Sequence, residues 1–213
     1  MNEARRIFEG REKEIEHYFI HLQKVEEGSN DTLFRILKAN LLLMLYNIVE
    51  ATISNAIDAI RLAIHNDQNV NFDCLKNEIR VQIIRDLKKN VSPDHFIKSS
   101  KDISHDIAKL SFKKEEISRG NIDRSIIIDL SKIYGFNVND SNYQETGHGN
   151  TLVSIKEKRN DLAHGTFSFA DVGKEYTMQD LEKYKNQTIK YIGFILDSIE
   201  SYLINQEYKQ PAA

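Results

Sequence analysis

Tryptophan is absent from this 213-residue chain, cysteine occurs once and proline twice, and each scarcity removes a class of answer. A single cysteine, Cys74, cannot close an intramolecular disulfide, and no cysteine cluster exists to hold structural zinc. Such a residue reads as a small buried hydrophobe in a reducing compartment. The prolines are Pro93 and Pro211, so helices elsewhere can run long without interruption. No apolar run approaches the roughly 20 residues that span a bilayer; the nearest, 41–46, is soon interrupted by Asn47 and Glu50. The first residues also lack the apolar stretch and small-residue cleavage site of a signal peptide. The expectation is a cytoplasmic chain with no membrane contact. A net charge of −3 gives no global basic field that would advertise nucleic acid.

What is present is ordinary globular material, 40% hydrophobic and 29% charged, patterned throughout at helical spacing. Ile15, Tyr18, Phe19, Leu22 and Val25 mark a first helix, with Gly28 as its stop. Asp31 or Thr32 can cap a second, whose stripe runs through Leu42, Leu45, Val49, Ile53, Ala56, Ile60 and Ala63. This is the strongest helix and the expected centre of the core. A third is expected over 73–89. Residues 90–120 form a lysine-rich, partly helical insertion. Asn121 then opens a helix that stops at Gly135, and 137–150 reads as a polar loop. A helix over Thr151–Ala163 ends at Gly165, and 167–176 reads as a second loop. Thr177, with Asp180 three residues on, caps the last long helix. No strand pattern appears, so the expected fold is an all-α helical bundle. Its parts are an N-terminal helix over 1–30, a helical domain over 31–206 and a tail over 207–213.

Chemistry concentrates at the helix Thr151–Ala163. Leu152, Ile155 and Leu162 share one stripe, and Arg159 falls on it too. An inward guanidinium needs a carboxylate, a phosphate or a crevice to receive it. Glu50 lies within the apolar pattern of the second helix and could be an ion-pair partner; Asn47 is its neighbour. Asn160 and His164 flank the end of the motif helix, with Lys158 beside them. An imidazole exchanges protons near neutral pH, and a guanidinium stabilises charge on a phosphate. A step of five residues, however, does not bring Arg159 and His164 onto one face of a regular helix. The stretch from Lys76 to Arg124 carries twelve basic against eight acidic residues, a mild local excess. Solvated helix faces and a nucleic-acid groove both fit that balance.

Other candidates are weaker. His17 and His21 have the spacing of a metal pair, but they lie opposite the apolar stripe and enclose Tyr-Phe-Ile rather than a zinc-protease Glu. His148 sits in a glycine-flanked loop just before the motif helix, where it could touch substrate or simply face solvent. There is no Walker loop, dinucleotide fingerprint or nucleophile elbow.

The run Lys158-Arg159-Asn160-Asp161-Leu162-Ala163-His164-Gly165 resembles the Arg-Asn-x-x-x-His signature of the HEPN superfamily (higher eukaryote and prokaryote nucleotide-binding). The stretch 41–57, Gly120-Asn121-Ile122-Asp123, Tyr134-Gly135-Phe136 and Gly165-x-Phe167-x-Phe169 resemble a bacterial stand-alone nuclease branch of that superfamily. This resemblance, over roughly residues 30–205, implies a dimerising helical bundle in which two Arg/His motifs face each other across a cleft. It implies an endoribonuclease of defence or toxin type that needs no metal or cofactor, cuts RNA by attack of the ribose 2′-hydroxyl, and is restrained by an inhibitor or antitoxin protein. Carried over by position, Arg159 would hold the phosphate, Asn160 would orient the site and His164 would transfer protons. The alternative is a catalytically inactive helical module that binds RNA or a partner protein.

Overall fold

The computed structural model describes residues 1–26, 31–90, 92, 121–140 and 142–210. Gly28 and almost all of the lysine-rich insertion lie outside these residues. Eight α-helices are seen among them, and the fold is all-α: α1 (Asn2–Glu26), α2 (Thr32–Asn66), α3 (Asn77–Asn90), α4 (Arg124–Tyr134), α5 (Tyr143–Thr146), α6 (Thr151–Ala163), α7 (Phe169–Lys174) and α8 (Met178–Ile204). The sole β-type pairing among the described residues is an isolated antiparallel bridge between Leu75 and Lys209.

Helix α2 is the axis of the molecule. The Asp31 side chain accepts from the Phe34 N–H at 2.8 Å, which satisfies a donor that the first turn leaves unpaired. Leu41, Leu42, Leu45, Ile48, Val49, Ile53, Ala56, Ile57 and Ile60 are all buried. Its neighbours are α1, α6, α7 and α8. By length and composition α2 could cross a membrane, but here most of its large apolar residues are buried in the core, Leu33 and Leu62 being exposed. Helix α1 belongs to the same core: Ile15, Phe19 and Leu22 are buried, and Arg5 is paired to Asp197 at 2.7 Å and Glu200 at 2.9 Å on α8.

Several boundaries differ from the sequence expectation, each for a local reason. The expected helix over 73–89 begins only at Asn77. Asn71 caps a separate 3-10 turn, Phe72–Cys74, and the backbone after it is taken by the C-terminal segment. Lys76 N–H donates to the Tyr208 carbonyl at 3.0 Å, and Gln210 N–H to that of Cys74 at 2.8 Å. The expected tail is thus tied down as far as residue 210, with Tyr208 buried, and Cys74 is half-buried rather than a core residue. Helix α4 starts at Arg124 because Asp123, not Asn121, supplies the cap, accepting from Ser125 N–H at 2.9 Å and Ile126 N–H at 3.1 Å. The expected loop over 137–150 holds α5 and a 3-10 turn, Gly147–Gly149. The expected loop over 167–176 holds α7, which Ser168 and Asp171 cap reciprocally, as Thr177 and Asp180 cap α8. That Ser-x-x-Asp signal stood in the sequence beside the one that was read.

Helix α7 also approaches α2 more closely than a side chain permits. A Cβ on Gly173 would fall into the Arg35 carbonyl. This contact turns the chain after α6 back onto α2 and places the motif helix over Tyr46.

Candidate active site

Helix α6 stops where its sequence stops it. Gly165 adopts φ +69°, its N–H donates to the Leu162 carbonyl at 3.2 Å, and Thr166 N–H donates to that of Asp161 at 2.9 Å. This is a Schellman termination, which needs a left-handed residue just past the cap. His164 is therefore the C-cap and lies exposed at the helix end.

Arg159 points the other way, toward α2. Its guanidinium carbon stands 4.5 Å from the centre of the Tyr46 ring, within cation–π range. One of its N–H groups donates to the Asn160 side-chain oxygen at 2.8 Å. Since a guanidinium only donates, that contact fixes the Asn160 amide, whose Nδ2 then donates to Asn121 Oδ1 at 3.2 Å. Arg159, Asn160 and Asn121 form one directed chain of hydrogen bonds. Beneath it Tyr46 is only 2% exposed. Burial, and then the nearby Glu50 carboxylate, push its phenol above the ordinary range against the opposing influence of Arg159.

Helix α6 carries three basic residues, and they differ in their partners. Lys156 is paired at 2.6 Å with Asp123. Lys158 is paired with Glu175 at 2.6 Å, touches Asp161 at 3.9 Å and lies over the Phe167 ring at 5.7 Å. Arg159 has no carboxylate partner among the described residues. The ion pair expected between Arg159 and Glu50 is thus not formed: Glu50 is half-buried one turn from Tyr46 and acts on that phenol instead. Asn47 is exposed, its carbonyl accepting from Arg11 of α1 at 2.8 Å, and no hydrogen bond joins it to α6 among the described residues. Lys158 is turned toward α7 rather than toward Arg159.

A family described as HEPN_MAE_28990-like HEPN matches residues 5–208. The chain belongs to that family. The match covers α1 as well as the motif helix, in keeping with their shared core. Membership in HEPN suggests a nuclease-like or RNA-related role. No curated protein and no solved structure matches the chain.

Within one HEPN chain, Arg159 and Asn160 are brought together and His164 is not. The His164 backbone N–H donates to the Asn160 carbonyl at 2.9 Å, but no hydrogen bond or ion pair of the His164 side chain links it to either residue among the described residues. Sequence reasoning missed Tyr46 and gave Asn121 no role in the site, only that of opening a helix. Their signals were slight: a tyrosine one turn before Glu50, and an asparagine in the Gly-Asn-Ile-Asp stretch. His17 and His21 are exposed, in line with their polar face.

Proposed function

We propose that the chain is a metal-independent endoribonuclease that cuts RNA by attack of a ribose 2′-hydroxyl on the adjacent phosphorus. The observation that carries this reading is Arg159 itself. It is the one basic residue of α6 without a carboxylate among the described residues, held over the Tyr46 ring and hydrogen-bonded to Asn160. A guanidinium so placed keeps its charge and most of its N–H groups for an incoming anion.

In this reading the phosphate rests on Arg159, which stabilises the charge that grows on its oxygens as the phosphorus becomes pentacoordinate. A His164 imidazole takes the 2′-hydroxyl proton as the O2′–P bond forms. A second imidazole gives a proton to O5′ as the P–O5′ bond breaks. The products are a 2′,3′-cyclic phosphate and a 5′-hydroxyl. Because His164 does not reach Arg159 within one chain, the second imidazole, and the meeting of both groups, is assigned to a second copy across a two-fold interface. A role in defence or as a toxin, with an inhibitor protein holding the enzyme in check, belongs to the same proposal and rests on the resemblance alone.

The same separation is also what the alternative, a silent module that binds RNA or a partner protein, would display. Incubating the purified chain with end-labelled RNA in EDTA separates the two. The nuclease reading expects cleavage with cyclic-phosphate ends, absent in His164→Ala. Intact RNA at every protein concentration overturns it, and a rate that needs added magnesium overturns the metal-free mechanism.

A further inference from the structure

At the other end of α6 the chain builds a second corner that the cleavage chemistry does not use. Gly147, His148 and Gly149 all take positive φ, at +57°, +50° and +73°. Histidine enters that region more readily than most residues, yet such a conformation persists only where its surroundings impose it. Here they do. His148 N–H donates to Thr146 Oγ1 at 3.0 Å, and its carbonyl accepts from Arg124 Nε at 2.7 Å. Its Nδ1 donates to Asp140 Oδ2 at 2.8 Å.

Asp140 is a built partner, its side chain only 4% exposed. It also accepts from Thr146 Oγ1 at 2.7 Å and Asn142 N–H at 3.0 Å. Burial works against its charge, but the contacts from His148, Thr146 and Asn142 hold the carboxyl below its ordinary range. An ionised acceptor there keeps a proton on Nδ1, so in the neutral form of the imidazole the acceptor nitrogen is Nε2, on the side of the ring away from Asp140. No hydrogen bond reaches Nε2 among the described residues, and the His148 side chain is 40% exposed. Tyr143 stands against this ring with centroids 5.0 Å apart, and is itself 60% exposed.

We propose that Tyr143 and His148 form a nucleobase subsite, which stacks one base of a single-stranded RNA on Tyr143 and accepts a base N–H at His148 Nε2. The proposal rests on the RNA reading of α6. Residues 121–124 tie the two places together, since Asn121 meets Asn160 at one end and Arg124 holds His148 at the other. Three peptide steps cover at most about 11 Å, within reach of a strand a few nucleotides long. A base suits this corner better than a phosphate, because Asp140 lies behind the imidazole and Glu145 stands on the same short helix as Tyr143.

The test uses the full chain and two single-stranded probes of equal length in fluorescence anisotropy. One is an RNA with every 2′-hydroxyl methylated, which blocks the attacking oxygen; the other is its abasic counterpart. His148→Asn keeps a residue that tolerates positive φ and an N–H for Asp140, but removes the outward nitrogen. Tyr143→Leu removes an exposed ring that the core does not need, and keeps the test intact should His148→Asn unfold. The wild type is expected to bind the base-bearing probe more tightly than the abasic one. Tyr143→Leu should weaken that binding about 5- to 150-fold, the range set by stacking on an aromatic ring, and leave the abasic probe unaffected. His148→Asn should act in the same direction. Equal loss on both probes, or none, overturns the subsite. A wild-type chain that discriminates between the probes but cuts no unmethylated RNA overturns the nuclease reading alone. One that binds neither probe overturns the subsite, and the cleavage assay on unmethylated RNA then decides the nuclease reading by itself.

Discussion

Arg159 lies with its guanidinium carbon 4.5 Å above the centre of the Tyr46 ring, so an aromatic face takes the place that a carboxylate was expected to fill. The difference is chemical as well as geometric. A carboxylate would neutralise the cation and compete with a phosphate for its N–H groups. A ring orients it and leaves those groups available.

Tyr46 is therefore expected to act as a positioning residue for Arg159. Tyr46→Phe keeps the ring and should cleave RNA at close to the wild-type rate. Tyr46→Leu should lose about 2- to 30-fold in kcat/KM, the span of a cation–π contact worth about 0.5–2 kcal/mol. Steady-state kinetics on both variants, with thermal unfolding on the same samples, checks this. Equal losses in the two would mean that the hydroxyl, not the ring, matters.

His164→Ala should lower cleavage by roughly 10²- to 10⁴-fold, the usual worth of positioned proton transfer, with its unfolding transition unchanged because the residue is exposed. Arg159→Lys should not restore activity, since an ammonium cannot present a planar fork to two phosphate oxygens. Mixing wild-type and His164→Ala chains under conditions of subunit exchange tests the shared site. Losses should exceed the fraction of inactive chains; a strictly proportional loss would sink the composite-site mechanism.

Asp123 joins the cap of α4 to Lys156 of α6, and so holds the Asn121 segment against the motif helix. Burial opposes its charge, but Lys156, Ser125 and the Ile126 N–H bring its carboxyl below the ordinary range. A depressed folded value means that this contribution is complete above the unfolded carboxylate pKa, about 3.9, and is lost as the pH falls through the folded value. Asp123→Ala should cost about 1–3 kcal/mol at neutral pH through the lost cap and ion pair. Denaturant titrations at neutral and strongly acidic pH should show the gap between wild type and variant closing at the acid end.

Gly173→Ala tests the close approach that turns α7 onto α2. Because the added methyl meets the Arg35 carbonyl rather than a flexible side chain, one helix must shift. An expected cost of about 1–3 kcal/mol follows from overpacking, in place of the modest gain that alanine gives in an open helix. Thermal melts decide the sign, and a stabilised variant would show that α7 does not pack this tightly in solution.

What the sequence determined by itself was whatever local physics sets within a few residues. The apolar period of α2, the caps at Asp31 and Thr177, and Gly165 as the stop that leaves His164 at a helix end were all legible. Each rests on a backbone preference or on a hydrogen bond spanning three or four positions. The box of Ser168 and Asp171 was equally local and was passed over. The tertiary structure alone decided the partner of Arg159, because Tyr46 and Glu50 lie one turn apart on the same helix and only the packing of α6 chooses between them. It also decided that Leu75 and Lys76 leave the helix to pair with the C-terminal segment, and that Asn121 meets Asn160. Such contacts join residues far apart in the chain, where no periodicity announces them. They are fixed by which helix faces come together once α2 has been buried.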